Sequence, residues 1–227
     1  YLEIISEFWV ELRARPKPSA SAAQVPWETV RDSLRYRADR TFPPDHLQAT
    51  AFRFVSTNVP IDSQYAAYAR EAFLPGRPLV EAAEALMRMI HRDFRFDATA
   101  TETFTPVEQA FKARRGVCQD FSHIMIACLR SVGLAARYMS GYILTHPPEG
   151  KERLVGADAT HAWVAVFVPD FGWLELDPTN ALRPDLEHIT LGWGRDFSDI
   201  TPMRGVLLGG GGHEPEIAVT VVPEEEF

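Results

Sequence analysis

Two stretches of this chain hold side chains able to do acyl chemistry. The first is Gly116-Val117-Cys118-Gln119-Asp120-Phe121-Ser122-His123, which carries one of only two cysteines in 227 residues. The second comprises His161-Ala162-Trp163 and, sixteen positions after its histidine, Asp177-Pro178-Thr179-Asn180. A thiol, an imidazole and a carboxylate are the groups that nucleophilic catalysis by cysteine requires. The imidazole takes the thiol proton and later returns it to the leaving amine, and the carboxylate fixes the ring's tautomer and direction. Taken alone, Cys118 is open to four readings: a buried small hydrophobe, half of a disulfide, a metal ligand or a nucleophile.

Helical geometry narrows them. If the segment from Cys118 onward is an α-helix, Phe121, Met125, Cys128, Leu129 and Val132 form one apolar stripe, so Cys128 is expected to be a buried hydrophobe. A Cys118–Cys128 disulfide fails, because ten residues of helix separate the backbones by about 15 Å, against the roughly 4.4–6.8 Å that a bridge spans. His123 lies about 140° round the helix from Cys118, too far to be its imidazole partner. Asp120 and His123 are expected to give structural support through hydrogen bonds. No second ligand faces the same way as Cys118, which makes it a poor metal ligand. What remains is a thiol in a first helical turn, either structural or activated by the free N–H groups and the positive end of the helix dipole. Arg114 and Arg115 would add to that activation if they face the thiol.

His161 and Asp177 belong to a predicted hairpin. One strand begins at His161, the other ends at Asp177, and Pro169-Asp170-Phe171-Gly172 between them holds turn residues. Alternation puts Ala162, Val164, Val166 and Val168 on one face, and His161, Trp163, Ala165 and Phe167 on the other. A four-residue loop with regular pairing would send His161 and Asp177 to opposite faces. An odd loop length or a bulge is therefore required. With a loop one residue shorter, Asp177 faces Trp163 and lies diagonal to His161, within reach of its ring.

The elements that must hold these groups read as helices first and strands later. Helices are predicted over 64–73, 79–92, 105–114 and 118–132, the last closed by Gly133. Strands are predicted over 136–144, 161–168 and 173–176, and a closing strand over 217–222. Nearer the start, Leu2 to Leu12 and Ala51 to Thr57 read as further strands, so residues 1–58 are expected to be a β-rich region. Residues 59–200 then form the core and 201–227 an extension. This order predicts an α+β fold, not an alternating one. The polar stretch 145–158 is a candidate lid.

Composition bounds the rest. The chain is 46% hydrophobic with a formal net charge of −8, enough apolar material for a sizeable core and no basic surface for nucleic acid. No apolar run reaches the roughly 18 residues of a membrane helix. Two cysteines without a C-x-x-C pair predict a reducing compartment, hence a cytoplasmic location. The chain begins at Tyr1 rather than Met, which suggests a trimmed start.

Together, Arg115-Gly116-Val117-Cys118-Gln119-Asp120-Phe121, Leu129-Arg130-Ser131-Val132-Gly133-Leu134, Arg137-Tyr138, Ser140-Gly141-Tyr142, His161-Ala162-Trp163 and Gly172-Trp173 to Asn180 resemble the core of the transglutaminase-like superfamily. The match covers about residues 60 to 200. It is similar in particular to bacterial members with a β-rich N-terminal region. The resemblance implies a papain-like core, in which a helix that starts at the cysteine packs on an antiparallel sheet. It implies Cys118 as nucleophile, His161 as base and Asp177 as orienting acid, acting on a peptide or protein amide. Hydrolysis is the favoured outcome, isopeptide-forming transfer the alternative, and a non-catalytic binding module on the same fold the second alternative. No metal or organic cofactor is implied. The backbone N–H of Cys118 is the first candidate oxyanion donor and Gln119 a second. Tyr142, Trp163 and Trp173 are expected either to wall the cleft or to pack in the core.

Overall fold

A computed structural model describes residues 3–39, 41–102, 105–145, 159–201, 209 and 217–224. Three short helices, α1 (Ala20–Ala23), α2 (Trp27–Ser33) and α3 (Pro44–Thr50), precede α4 (Ser63–Arg70) and α5 (Leu79–Asp93). The two-residue strands β1 (Arg95–Phe96) and β2 (Arg115–Gly116) flank α6 (Val107–Ala113), and β2 leads into α7 (Cys118–Ser131). Then come β3 (Ala136–Ile143), β4 (Ala159–Val168), β5 (Gly172–Leu176) and β6 (His188–Gly194). The last four form one antiparallel sheet in the order β5-β4-β3-β6. The fold is α+β.

The centre is α7. Every residue from Asp120 to Arg130 is buried, as a helix must be when apolar side chains surround it on all sides. The sheet, through β3 and β4, packs on one side of it, and α4, α5 and α6 on the other. Both ends of α7 are fixed locally. At the start, Asp120 reaches back to accept from Val117 N at 2.8 Å, so a side chain satisfies a backbone donor at the helix entry. Gly116 makes this possible, because a Cβ there would collide with the Asp120 carboxylate. At the end, Gly133 adopts φ 88°, and the N–H groups of Gly133 and Leu134 return to the carbonyls of Arg130 and Leu129. That is a Schellman cap.

The hairpin meets the register condition set by its sequence. Val168 pairs with Gly172, so the loop is the three residues Pro169, Asp170 and Phe171. Asp170 takes φ 61°, the left-handed residue such a loop uses. Pairing continues to Val164–Leu176, so Asp177 follows opposite Trp163 and diagonal to His161.

The strands expected in the N-terminal region are not there. The described part of residues 3–58 holds α1, α2, α3 and a 3-10 turn at Ala51–Arg53, and no strand. In the 3–12 stretch Ile4, Ile5, Phe8, Trp9 and Val10 are all exposed. An apolar run becomes a strand only where a neighbouring strand accepts its hydrogen bonds and one face is covered, and no ladder is formed over 3–12. In the 51–57 stretch, Phe54 and Val55 are likewise exposed after the 3-10 turn. The expected closing strand at 217–222 is reduced to an isolated bridge at Val219, with Ile217 exposed. Three strands, the two-residue β1 and β2 and the longer β6, were not predicted. The candidate lid, residues 146–158, lies outside the described residues. Among the described residues, no helix is long and apolar enough to cross a membrane.

Candidate active site

Cys118 is the first residue of α7 and is half-buried, while Cys128 is completely buried; both are free thiols. The β1–β2 pairing, with Asp97 N donating to Gly116 O at 2.9 Å, holds the strand that delivers Cys118 to the helix start. Its N–H is among those an α-helix leaves without an internal acceptor.

His161 is 7% exposed and hydrogen-bonds through Nε2 to Asp177 Oδ2 at 2.7 Å, with the Cys118 side chain near enough to act on its charge. With Nε2 committed to the carboxylate, Nδ1 is the nitrogen left for the thiol. Asp177 is fully buried and densely bonded. Its Oδ1 accepts from Thr179 N at 2.8 Å and Asn180 N at 3.2 Å, the Asx-Pro turn geometry. Its Oδ2 accepts from His161, from Asn180 Nδ2 at 2.7 Å and from His188 Nε2 at 3.0 Å.

The electrostatics follow from these bonds. Burial alone would raise the Asp177 carboxyl, but the donors from His161, His188 and Asn180 hold it far below the usual carboxylate range. Burial alone would lower His161, but its bond to the Asp177 carboxylate and the neighbouring Cys118 side chain prevail and raise it to about 9.

The remaining expected residues are placed as follows. Asp120 is buried and, besides capping Val117, accepts from Thr101 Oγ1 at 2.6 Å. His123 is buried, lies tilted against the Tyr138 ring at 5.0 Å and accepts from Phe197 N at 3.2 Å. The two therefore support different parts of the fold. Gln119 is half-buried beside Cys118 on α7. Tyr142 is half-buried at the end of β3 and stacks on Phe8 at 6.4 Å.

Trp163 is not a cleft wall. It has no exposed surface, stacks on His161 at 6.0 Å and donates from Nε1 to Glu175 Oε2 at 2.6 Å. It packs the back of the His161 ring. Trp173 lies against Arg137, whose guanidinium carbon sits 3.7 Å from its ring centre. Arg114 and Arg115 do not face the thiol. The first lies over Tyr68, Phe94 and Phe111, and the second pairs with Asp97 at 3.9 Å.

His188 was missed with its strand. The alternation Ile189, Leu191, Trp193 was the available signal, weakened by Gly192 and Gly194. Donor atoms of His161, Asp177 and His188 lie within 4.8 Å of one another, close enough to enclose a cation. Their mutual hydrogen bonds already account for that convergence.

Comparison with known proteins gives a consistent set. A family model described as the transglutaminase-like superfamily matches residues 66–178. An uncharacterised protein of Mycobacterium tuberculosis is 40% identical over 231 residues, which cover 99% of this chain and 71% of that protein. A protein-glutamine gamma-glutamyltransferase of Pseudomonas aeruginosa is 32% identical over 138 residues, 56% of this chain but 21% of that protein. Among solved structures, one from Cytophaga hutchinsonii, described as a candidate cysteine protease, aligns with a TM-score of 0.57 at 23% identity. That alignment covers 68% of this chain and 49% of that chain, so the match spans about half of its length. The likeness in fold extends to the helix–sheet core.

Proposed function

From the premise that the chain belongs to the transglutaminase-like superfamily, we propose that it is a cysteine-nucleophile acyl-transfer enzyme that hydrolyses a peptide or protein amide. The observation that carries this reading is the buried His161–Asp177 pair, with Nε2 2.7 Å from Asp177 Oδ2, beside Cys118 at the start of α7. Cys118 is the nucleophile, His161 the acid and base, and Asp177 the group that orients the ring and stabilises its charge.

The chemistry balances within these groups. The Cys118 sulfur adds to the amide carbonyl, and the carbonyl oxygen takes the negative charge beside the N–H of Cys118 at the helix start. Collapse of that intermediate breaks the C–N bond as the imidazolium of His161 gives its proton to the leaving amine. A thioester remains. Water then attacks, its proton passing to His161, and expulsion of the Cys118 sulfur releases a carboxylic acid. If an amine attacks in place of water, the same thioester yields a new amide.

Hydrolysis is favoured because water is the default acceptor for a thioester on a half-exposed sulfur. The likeness to the Pseudomonas glutamyltransferase supports transfer as the second reading. Incubation with a peptide library containing glutamine and backbone amides, with and without a primary amine, separates them by mass spectrometry. Acid products that persist in excess amine are expected. Amide products that displace them identify a transferase, and no product from wild type beyond that of Cys118→Ala contradicts the enzyme and leaves the binding module. A cytoplasmic location, expected from the cysteine content, belongs to the same proposal.

A further inference from the structure

His188 opens β6 and is 1% exposed, and its Nε2 lies 3.0 Å from Asp177 Oδ2. The acyl-transfer scheme gives it no task. That oxygen already accepts from His161 and from Asn180, each at 2.7 Å. A carboxylate has about four lone-pair positions over its two oxygens, so three donors on Oδ2 exceed its share. Asn180 is a local contact, three residues from Asp177 within the turn. His188 alone among these donors comes from a strand on the far edge of the sheet, beyond both β3 and β4.

Two features indicate that this long reach is built. The first is the break in the β3–β6 register between Ser140 and Gly141. A Cβ at position 141 would collide with Ile189 O and lie 2.9 Å from Trp163 Cη2. Only glycine lets β6 approach this closely, and Gly141 is the register partner of His161. The second is the packing of the three rings. His188 meets His161 edge-on at 5.6 Å and Trp163 edge-on at 5.3 Å, while Trp163 stacks on His161. The ring's other nitrogen, Nδ1, is buried with no hydrogen-bond partner among the described residues. An orphaned polar atom carries a cost. The ring is therefore fixed by what Nε2 does, because Nδ1 gains nothing.

We propose that His188 is a positioning residue: its Nε2 hydrogen clamps Asp177 Oδ2, so that the carboxylate presents a fixed lone pair to His161 and holds that ring against Cys118. Asp177 is thereby gripped from three directions, by the turn backbone, by Asn180 and by β6. Loss of the third lets the carboxylate rotate away from His161. This inference rests on the proposed Cys118–His161–Asp177 chemistry and adds a fourth member to it.

The test uses iodoacetamide on the whole chain at a fixed neutral pH, with the rate read at Cys118 by peptide mass and the melting temperature of each variant measured alongside. His188→Met removes the donor and adapts to the space; His188→Gln, of nearly the same shape, keeps an N–H donor near the place of Nε2. The Met variant is expected to alkylate about tenfold or more slowly, the scale of a misplaced catalytic group. The Gln variant is expected to recover to within about threefold of wild type. Should His188→Met fail to fold, His188→Leu supplies the donor-free comparison. Equal rates in all variants, or equal slowing in Met and Gln, overturn the donor role. A wild-type rate no faster than that of His161→Ala instead overturns the proposed chemistry, and this inference with it.

Discussion

The two ends of α7 solve the same problem in opposite ways. Near its C-terminus Arg130 is 2% exposed and spends its guanidinium completely. Nε donates to Phe52 O, Nη1 to Phe54 O and Ser56 Oγ, and Nη2 to Ala136 O and Arg195 O, at 2.6–3.1 Å. Five donors meet five acceptors, the full capacity of an arginine. At the N-terminus the counting does not close. One oxygen of Asp177 carries three donors, Nδ1 of His188 has no partner among the described residues, and Cys118 is only half-buried. A closed network holds the chain in place. An unbalanced one lies beside a half-buried cysteine, the arrangement the proposed chemistry needs.

The histidines repeat the contrast. His123 lies midway along α7, and burial first of all lowers it to about 4, with Arg130 adding to the drop and Asp196 opposing it. His161 lies at the Cys118 end and is raised to about 9. Both rings are buried. Their hydrogen-bond partners decide the direction.

The largest effect expected is on chemistry. Cys118→Ala should lower amide turnover by about 10⁴-fold or more while shifting urea-unfolding stability by about 1 kcal/mol or less. A comparable loss of stability would mean that the N-terminal end is structural too. Arg130→Met should do the converse. It leaves five acceptors unmatched, which should cost on the order of 3–5 kcal/mol, with turnover per folded molecule preserved. Loss of turnover at unchanged stability would break the division between the two ends.

Next comes acid stability. His123 is lowered in the folded state, so the unfolded chain binds the proton first as pH falls. Stability is then present above the ordinary histidine range and lost as pH drops from about 6.5 through about 4, by up to on the order of 3 kcal/mol. Replacement by Gln should flatten that acid limb in melting curves. His161 has the opposite sign: the stability it contributes is complete below about 6.5 and lost as pH rises through about 9. His161→Gln should therefore flatten the alkaline limb. The smallest effect is on the helix entry. Thr101→Val removes the 2.6 Å bond to Asp120 and should cost about 1 kcal/mol in unfolding measurements, with turnover almost unchanged.

Periodicity accounts for which parts of this arrangement were legible in the sequence. The predicted helices at 79–92 and 118–132 occur as Leu79–Asp93 and Cys118–Ser131, because long apolar periods and clear terminal residues leave few alternatives. The hairpin register followed from facing His161 and Asp177 alike, and the structure supplies the three-residue loop that this demands. The N-terminal strands misled because Ile4, Ile5, Phe8 and Trp9 have strand chemistry but lie exposed and outside any sheet, a fact that only the fold determines. His188 was invisible for the complementary reason. It stands on a glycine-containing strand, and its contact with Asp177 crosses two other strands. The five bonds of Arg130 were equally hidden, since their acceptors are spread from Phe52 to Arg195.

The central claim is an acyl group carried on Cys118. Its most direct test is intact-mass and peptide-mass spectrometry of the protein mixed with a reactive acyl substrate, such as an activated ester, and quenched in acid. The expected result is an adduct of the acyl mass on the peptide that contains Cys118, absent in Cys118→Ala and strongly reduced in His161→Ala. An adduct that forms as readily without His161, or that falls on Cys128, or no adduct at all, would contradict the account.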